Sequence, residues 1–97
     1  MLKIYKYPVP VDDQWHDLAL TGMITHIGPD PFRNDVIYVW AIHSDSAQSE
    51  GSRRFRVFGT GHELPANTRP ENVLGSVQTR DGQFVWHLVD TWYPDNP

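Results

Sequence analysis

The segment Val73-Leu74-Gly75-Ser76-Val77-Gln78-Thr79-Arg80-Asp81-Gly82-Gln83-Phe84-Val85-Trp86-His87-Leu88-Val89-Asp90-Thr91 holds two alternating apolar runs around an Asp-Gly pair. Asp-Gly between such runs signals a β-hairpin, because a type I′ turn needs positive φ at both centre positions. With Asp81-Gly82 as the two-residue loop, Thr79 faces Phe84, Val77 faces Trp86 and Gly75 faces Leu88, which gives one apolar face. Gln78 with Val85 and Ser76 with His87 form a second, mixed face. Gly75 opposite Leu88 either leaves space for a neighbouring ring or marks a bulge.

The rest of the chain reads in the same alphabet. Eight prolines and seven glycines punctuate it at short intervals. Between them lie short runs of Val, Ile, Tyr, Trp, Phe and Thr, and no stretch of helical period survives without a Pro or Gly. Five further strands are predicted. Leu2 to Tyr7 is stopped by Pro8-Val9-Pro10 and is short or at an edge, since proline cannot donate to a ladder. Gln14 to Leu20 places His16, Leu18 and Leu20 on one face, and Met23 to Ile27 is closed by Gly28-Pro29-Asp30-Pro31. Val36 to His43 is apolar on both faces and reads as a central strand. Arg53 to Phe58 follows the polar stretch Ser44 to Ser52 and ends at Gly59-Thr60-Gly61. A helical turn is expected near Ala66 to Asn72. The fold expected is all-β: a small barrel or sandwich of six to seven mainly antiparallel strands with a C-terminal hairpin.

A chain of 97 residues allows one domain, residues 1–97, with a flexible tail from 92 to 97. There are no cysteines, so disulfides, Cys-based metal sites and thiol nucleophiles are excluded, in keeping with a reducing cytoplasm. The longest apolar run, Val36 to Ile42, is far short of a membrane-spanning helix. Lys3 and Lys6 interrupt the place where a signal peptide would be apolar, so a soluble, unexported protein is expected. A net charge of −4 argues against direct nucleic-acid binding and is too small for the carboxylate rows of a DNA mimic.

Three pieces taken in order carry a resemblance. They are Lys3-Ile4-Tyr5-Lys6-Tyr7-Pro8, then Phe55-Arg56-Val57-Phe58-Gly59-Thr60-Gly61-His62-Glu63-Leu64-Pro65, then Leu74-Gly75-Ser76-Val77-Gln78 with Phe84-Val85-Trp86-His87. In this order they resemble a family of small proteins encoded by bacteriophages, largely of actinobacteria, and by prophages. The resemblance runs from residue 2 to about 89, and the middle piece is the most specific. It implies a phage accessory protein acting in the host cytoplasm and brings no catalytic residue with it.

The chemistry-bearing residues give two candidate contact sites. Arg54 and Arg56 lie on one face of their strand and Phe55 and Val57 on the other, with Arg53 adding charge at its start. Parallel guanidinium groups grip phosphates or carboxylates, and the turn Gly59-Thr60-Gly61-His62 nearby could offer backbone N–H groups to a nucleotide-like anion. Against this stand a solvated face whose arginines pair with cross-strand acids, and a tight turn that uses glycine for positive φ. The turn lacks the Gly-Lys-Ser/Thr of a P-loop. The second site is Trp92-Tyr93, an aromatic anchor for a partner or a tail closing the core. Trp40 and Trp86 read as core, whereas Trp15 has more polar surroundings.

His16, His26, His43, His62 and His87 form no ligand signature, so no metal is expected. No serine has a nucleophile elbow, and Asp12-Asp13 reads as a solvated loop. Neither an enzyme nor a cofactor is indicated. The expected function is stoichiometric contact with a host protein, as an inhibitor of a defence or housekeeping factor. The alternatives are a binder of a phosphate-bearing nucleotide and a minor structural or assembly protein of the phage.

Overall fold

Alternation decides which side of each strand meets the core. In β4 (Val36–Ser44), Ile37, Val39 and Ala41 are fully buried, while Tyr38, Trp40 and Ile42 point the other way and are half-buried. β1 (Leu2–Pro10) and β3 (Ile24–Pro29) flank β4 antiparallel, so β4 is the central strand its two apolar faces predicted. The second sheet has the order β2 (His16–Asp17), β5 (Ser52–Gly59), β7 (Val85–Tyr93), β6 (Val73–Gln78), again antiparallel throughout. A single 3₁₀ turn at Pro70–Asn72 lies within the helical turn expected there. These elements come from a computed structural model that describes residues 1–20, 22–44, 52–79 and 81–93.

The two sheets pack face to face, which settles the choice between barrel and sandwich in favour of the sandwich. Val9, Ile37, Val39 and Ala41 of the first sheet meet Phe55, Val57, Val77 and Leu88 of the second in one cluster, with Leu20 beside them. Among the described residues no strand is paired across from one sheet to the other. Burying these side chains supplies the main driving force, at about 25 cal/mol per Å² of apolar surface.

The hairpin has the expected register: Gln78 opposite Val85, Val77 opposite Trp86, Ser76 opposite His87, Gly75 opposite Leu88. Its turn is not type I′. Of the two centre positions only Gly82 has positive φ (75°), and the Gly82 amide donates to the Thr79 carbonyl (2.9 Å). The Thr79–Phe84 pair (2.9 Å) closes a longer loop, in which the Asp81 carboxylate accepts from the Thr79 hydroxyl (2.8 Å) and the Gln83 amide (3.0 Å). The side chain of Asp81 thereby does work that a I′ backbone would have done. At Gly75 both readings hold in modified form: the register shifts between Val73 and Gly75, and a Cβ there would lie 2.5 Å from Cδ1 of Ile27, an aliphatic neighbour rather than a ring.

β1 runs on through Pro8 and Pro10, where the sequence predicted a stop. The Val11 amide donates to the Asp35 carbonyl (2.8 Å), one step beyond the Pro10–Val36 pair. Odd-numbered amides of β1 therefore face β4 and even-numbered ones face away. Both prolines stand where the missing N–H costs the ladder nothing. β7 likewise carries the chain through Trp92 and Tyr93, while residues 94–97 of the expected tail lie outside the described residues.

Candidate interaction face

Arg54 and Arg56 share the outward side of β5, as alternation requires, and both are approached by carboxylates. Arg54 Nε lies 3.3 Å from Asp17 Oδ1, its direct cross-strand neighbour in β2. Arg56 Nη2 lies 4.0 Å from Asp13 Oδ1, its guanidinium stacks 4.6 Å over the Phe58 ring, and its Nε is buried without a partner. Trp15 meets the same ring edge-on at 6.2 Å. Arg53 points inward instead and binds Asp90 (Nε–Oδ2, 3.0 Å). Arg54 is thus paired with an acid that an incoming anion would have to displace, whereas Arg56 is stacked on Phe58 and only loosely approached by the exposed Asp13.

The Gly59–His62 turn is closed on itself. The His62 amide donates to the Gly59 carbonyl (3.1 Å), Gly61 takes φ +86°, and the His62 ring lies where a Gly59 Cβ would sit (2.9 Å to Cε1). Thr60 does something the sequence did not suggest. Its hydroxyl meets His87 Nε2 at 2.7 Å, and Nδ1 of the same ring meets the Ser76 hydroxyl at 2.7 Å. The Ser76–His87 half of that chain follows from the hairpin register; the Thr60 half does not. For Trp92 and Tyr93 the structure describes the backbone in β7 and not the side chains, so the expected aromatic anchor lies outside what is described. Among the described residues no group of three or more His, Asp or Glu is placed to hold a metal.

An open depression of about 360 Å³ lies between the β3–β4 loop and the hairpin turn, lined by Asp30, Pro31, Phe32, Arg33, Asn34 and Asp81. Its residues are spent on holding the loop. Asp30 accepts from the amides of Phe32 (2.8 Å) and Arg33 (3.0 Å), Arg33 grips Asp35 with two bonds (2.8 and 2.9 Å), and Asn34 donates to Asp81 (3.1 Å). The Phe32 amide, foremost, lowers the Asp30 carboxyl below its ordinary value, and the Gln83 amide does the same for Asp81.

The outer face of the β1-β4-β3 sheet is different in kind. Ile4, Lys6 and Pro8 of β1, Tyr38, Trp40 and Ile42 of β4, and His26 of β3 share this side. Tyr38 and Trp40 are 6.1 Å apart, His26 and Trp40 5.3 Å, and the Lys6 ammonium sits 4.0 Å over the Tyr38 ring. Gly28 keeps the rings close: a Cβ there would lie 3.4 Å from Trp40 Cζ3 and 3.2 Å from His26 Nε2. Ile4 is 62% exposed. This corrects the sequence reading of Trp40 as core. A strand apolar on both sides does not say which side the second sheet will cover.

The molecule is thus a small antiparallel β-sandwich with one sheet face buried in its core and the opposite, aromatic face left open. Over residues 1–96 the chain matches the family described as Domain of unknown function (DUF7352), and it belongs to that family. No curated protein and no solved structure matches it. Among the described residues no helix is long and apolar enough to cross a membrane.

Proposed function

We propose that this protein is a small binding protein that acts by stoichiometric contact with a partner protein, through the outer face of the β1-β4-β3 sheet. The observation that carries the reading is the open cluster of Ile4, Lys6, Tyr38, Trp40, Ile42 and His26. Aromatic side chains ringed by polar groups are the usual anchors of protein interfaces, because they bury much area at little entropic cost. The resemblance to phage and prophage proteins supports a partner from the host bacterium and action in its cytoplasm, as an inhibitor of a defence or housekeeping factor. The nucleotide reading draws less support, because Arg54 already has a carboxylate and Arg56 is stacked on Phe58.

The test is capture from host lysate followed by titration calorimetry of the retained protein. A single protein should be retained at moderate salt and bind stoichiometrically. Trp40→Ala should weaken it about tenfold or more, and Arg54→Ala should leave it unchanged. Binding indifferent to Trp40→Ala, or no protein retained at any salt, would remove the proposal. A nucleotide retained in its place, and lost on replacing Arg54 and Arg56 by Glu, would establish the ligand-binding alternative.

A further inference from the structure

The four strands at the sheet edges are unequally defended. β2 is two residues long, β3 carries a register shift and ends in Pro29, and β6 carries a register shift beside Gly75. Short strands, bulges and prolines all discourage a further strand from adding. β1 has prolines only in its second half. From Leu2 to Tyr7 it presents a plain edge, with Leu2 67%, Ile4 62% and Tyr5 41% exposed.

The direction of the β1 amides makes this edge usable. Because the Val11 amide points toward β4, the amides and carbonyls of Leu2, Ile4 and Lys6 point away from it. We propose that this edge pairs antiparallel with β1 of a second copy about a two-fold axis at Ile4, joining two three-stranded sheets into one of six strands. In that register Ile4 faces Ile4 of the other copy, Leu2 faces Lys6, and Lys3 faces Tyr5. Every outward amide from Leu2 to Lys6 finds a carbonyl, and no proline enters the ladder. No lysine opposes a lysine, and the Lys6 ammonium is already drawn over Tyr38.

A two-fold axis perpendicular to the sheet keeps both outer faces on one side, so the aromatic cluster would be doubled. The pairing goes beyond the binding reading above and does not depend on it: it uses the outward backbone groups of Leu2, Ile4 and Lys6, although the Ile4 and Lys6 side chains also belong to the face. Five residues a side fall short of the roughly 800 Å² per partner of a standard interface, so a weak dimer is expected, with Kd on the order of 10–100 µM.

Sedimentation velocity of the purified chain across about 2–400 µM, bracketing that Kd, is the direct test. The mass should rise toward a dimer with concentration. Ile4→Pro removes one outward amide and leaves the β4 ladder intact, so it should stay monomeric with an unchanged melting temperature. Hydrogen exchange gives a second readout if that variant folds poorly: Leu2, Ile4 and Lys6 amides of the unaltered chain should gain protection with concentration. A monomer throughout, a dimer that survives Ile4→Pro, or concentration-dependent protection elsewhere would overturn the proposal. Trp40→Ala should leave the dimer intact while weakening partner capture, which separates failure of the pairing from failure of the binding reading.

Discussion

Three arginines within four positions of β5 meet three different fates, decided by which way each side chain points. Arg53 turns inward onto Asp90, whose side chain is only 9% exposed, and Asn72 Nδ2 lies 3.4 Å from the other carboxylate oxygen. Removing one partner of such a pair strands the other without compensation. Asp90→Ala should therefore cost about 2–4 kcal/mol in urea unfolding, a little under the fully buried case because Arg53 is partly exposed. Arg54→Ala breaks a pair exposed at both ends and should cost less than about 1 kcal/mol in the same assay. Period-two alternation made the common face of Arg54 and Arg56 legible in the sequence. It also made cross-strand pairing a clear alternative to an anion site. Which acids would answer was not legible, because Asp17 and Asp13 are brought to β5 only by the short β2 pairing and the turn before it. The same holds for Thr60, which reaches His87 from a turn 27 residues away.

At the scale of the element, the hairpin shows where local rules suffice. Its register follows from the turn position and the apolar alternation, since a one-residue slip would turn every core side chain to solvent. The turn type does not follow, because Asp81 can satisfy the loop by its side chain instead of by a left-handed backbone. Packing against another strand is likewise beyond local rules. Gly75 leaves room for Ile27 of β3, whose terminal Cδ1 lies 2.5 Å from a notional Cβ and would have to shift to admit one. Gly75→Ala should destabilise by about 1–3 kcal/mol through overpacking. Ile27→Val removes the crowding methyl and alone should cost about 0.5–1.5 kcal/mol. The double variant should be more stable than the sum of the two by at least about 0.5 kcal/mol, measured as a double-mutant cycle in urea. Additivity would mean that the two side chains do not meet. β4 illustrates the opposite limit: its composition marked it as central, yet nothing within the strand says that Ile37, Val39 and Ala41 rather than Tyr38 and Trp40 face the second sheet.

For the whole molecule, the shifted groups define a window of stability. The carboxyls of Asp12, Asp30, Asp35 and Asp81 lie below their ordinary value, lowered chiefly by His16, the Phe32 amide, Arg33 and the Gln83 amide respectively. A lowered carboxyl binds its proton less tightly folded than unfolded. Its contribution is therefore complete above the unfolded value near 3.9 and is lost as the pH falls through the folded one. Tyr7 is raised by burial and Tyr38 by its hydrogen bond to Asp30, so their contribution is present below about pH 10 and is lost as the pH rises through their folded values. Thermal unfolding should show a plateau from about pH 5 to 9 with both flanks falling, and Asp81→Asn should flatten the acid flank. An acid flank unmoved by that change would place the proton-linked loss elsewhere. What the sequence determined by itself is what short-range physics governs: the β class, the places of all the strands but the second (expected over Gln14 to Leu20, paired only at His16–Asp17), the central rank of β4 and the hairpin register. Alternation and turn chemistry act between near neighbours in the chain, so they can be read there. Tertiary structure alone decided the sandwich over the barrel, the acids that meet Arg54 and Arg56, the open aromatic face and the free edge of β1. Each of these depends on contacts between segments far apart in sequence: which apolar surfaces bury against each other for the sandwich and the open face, and which strands pair for the acids and the edge.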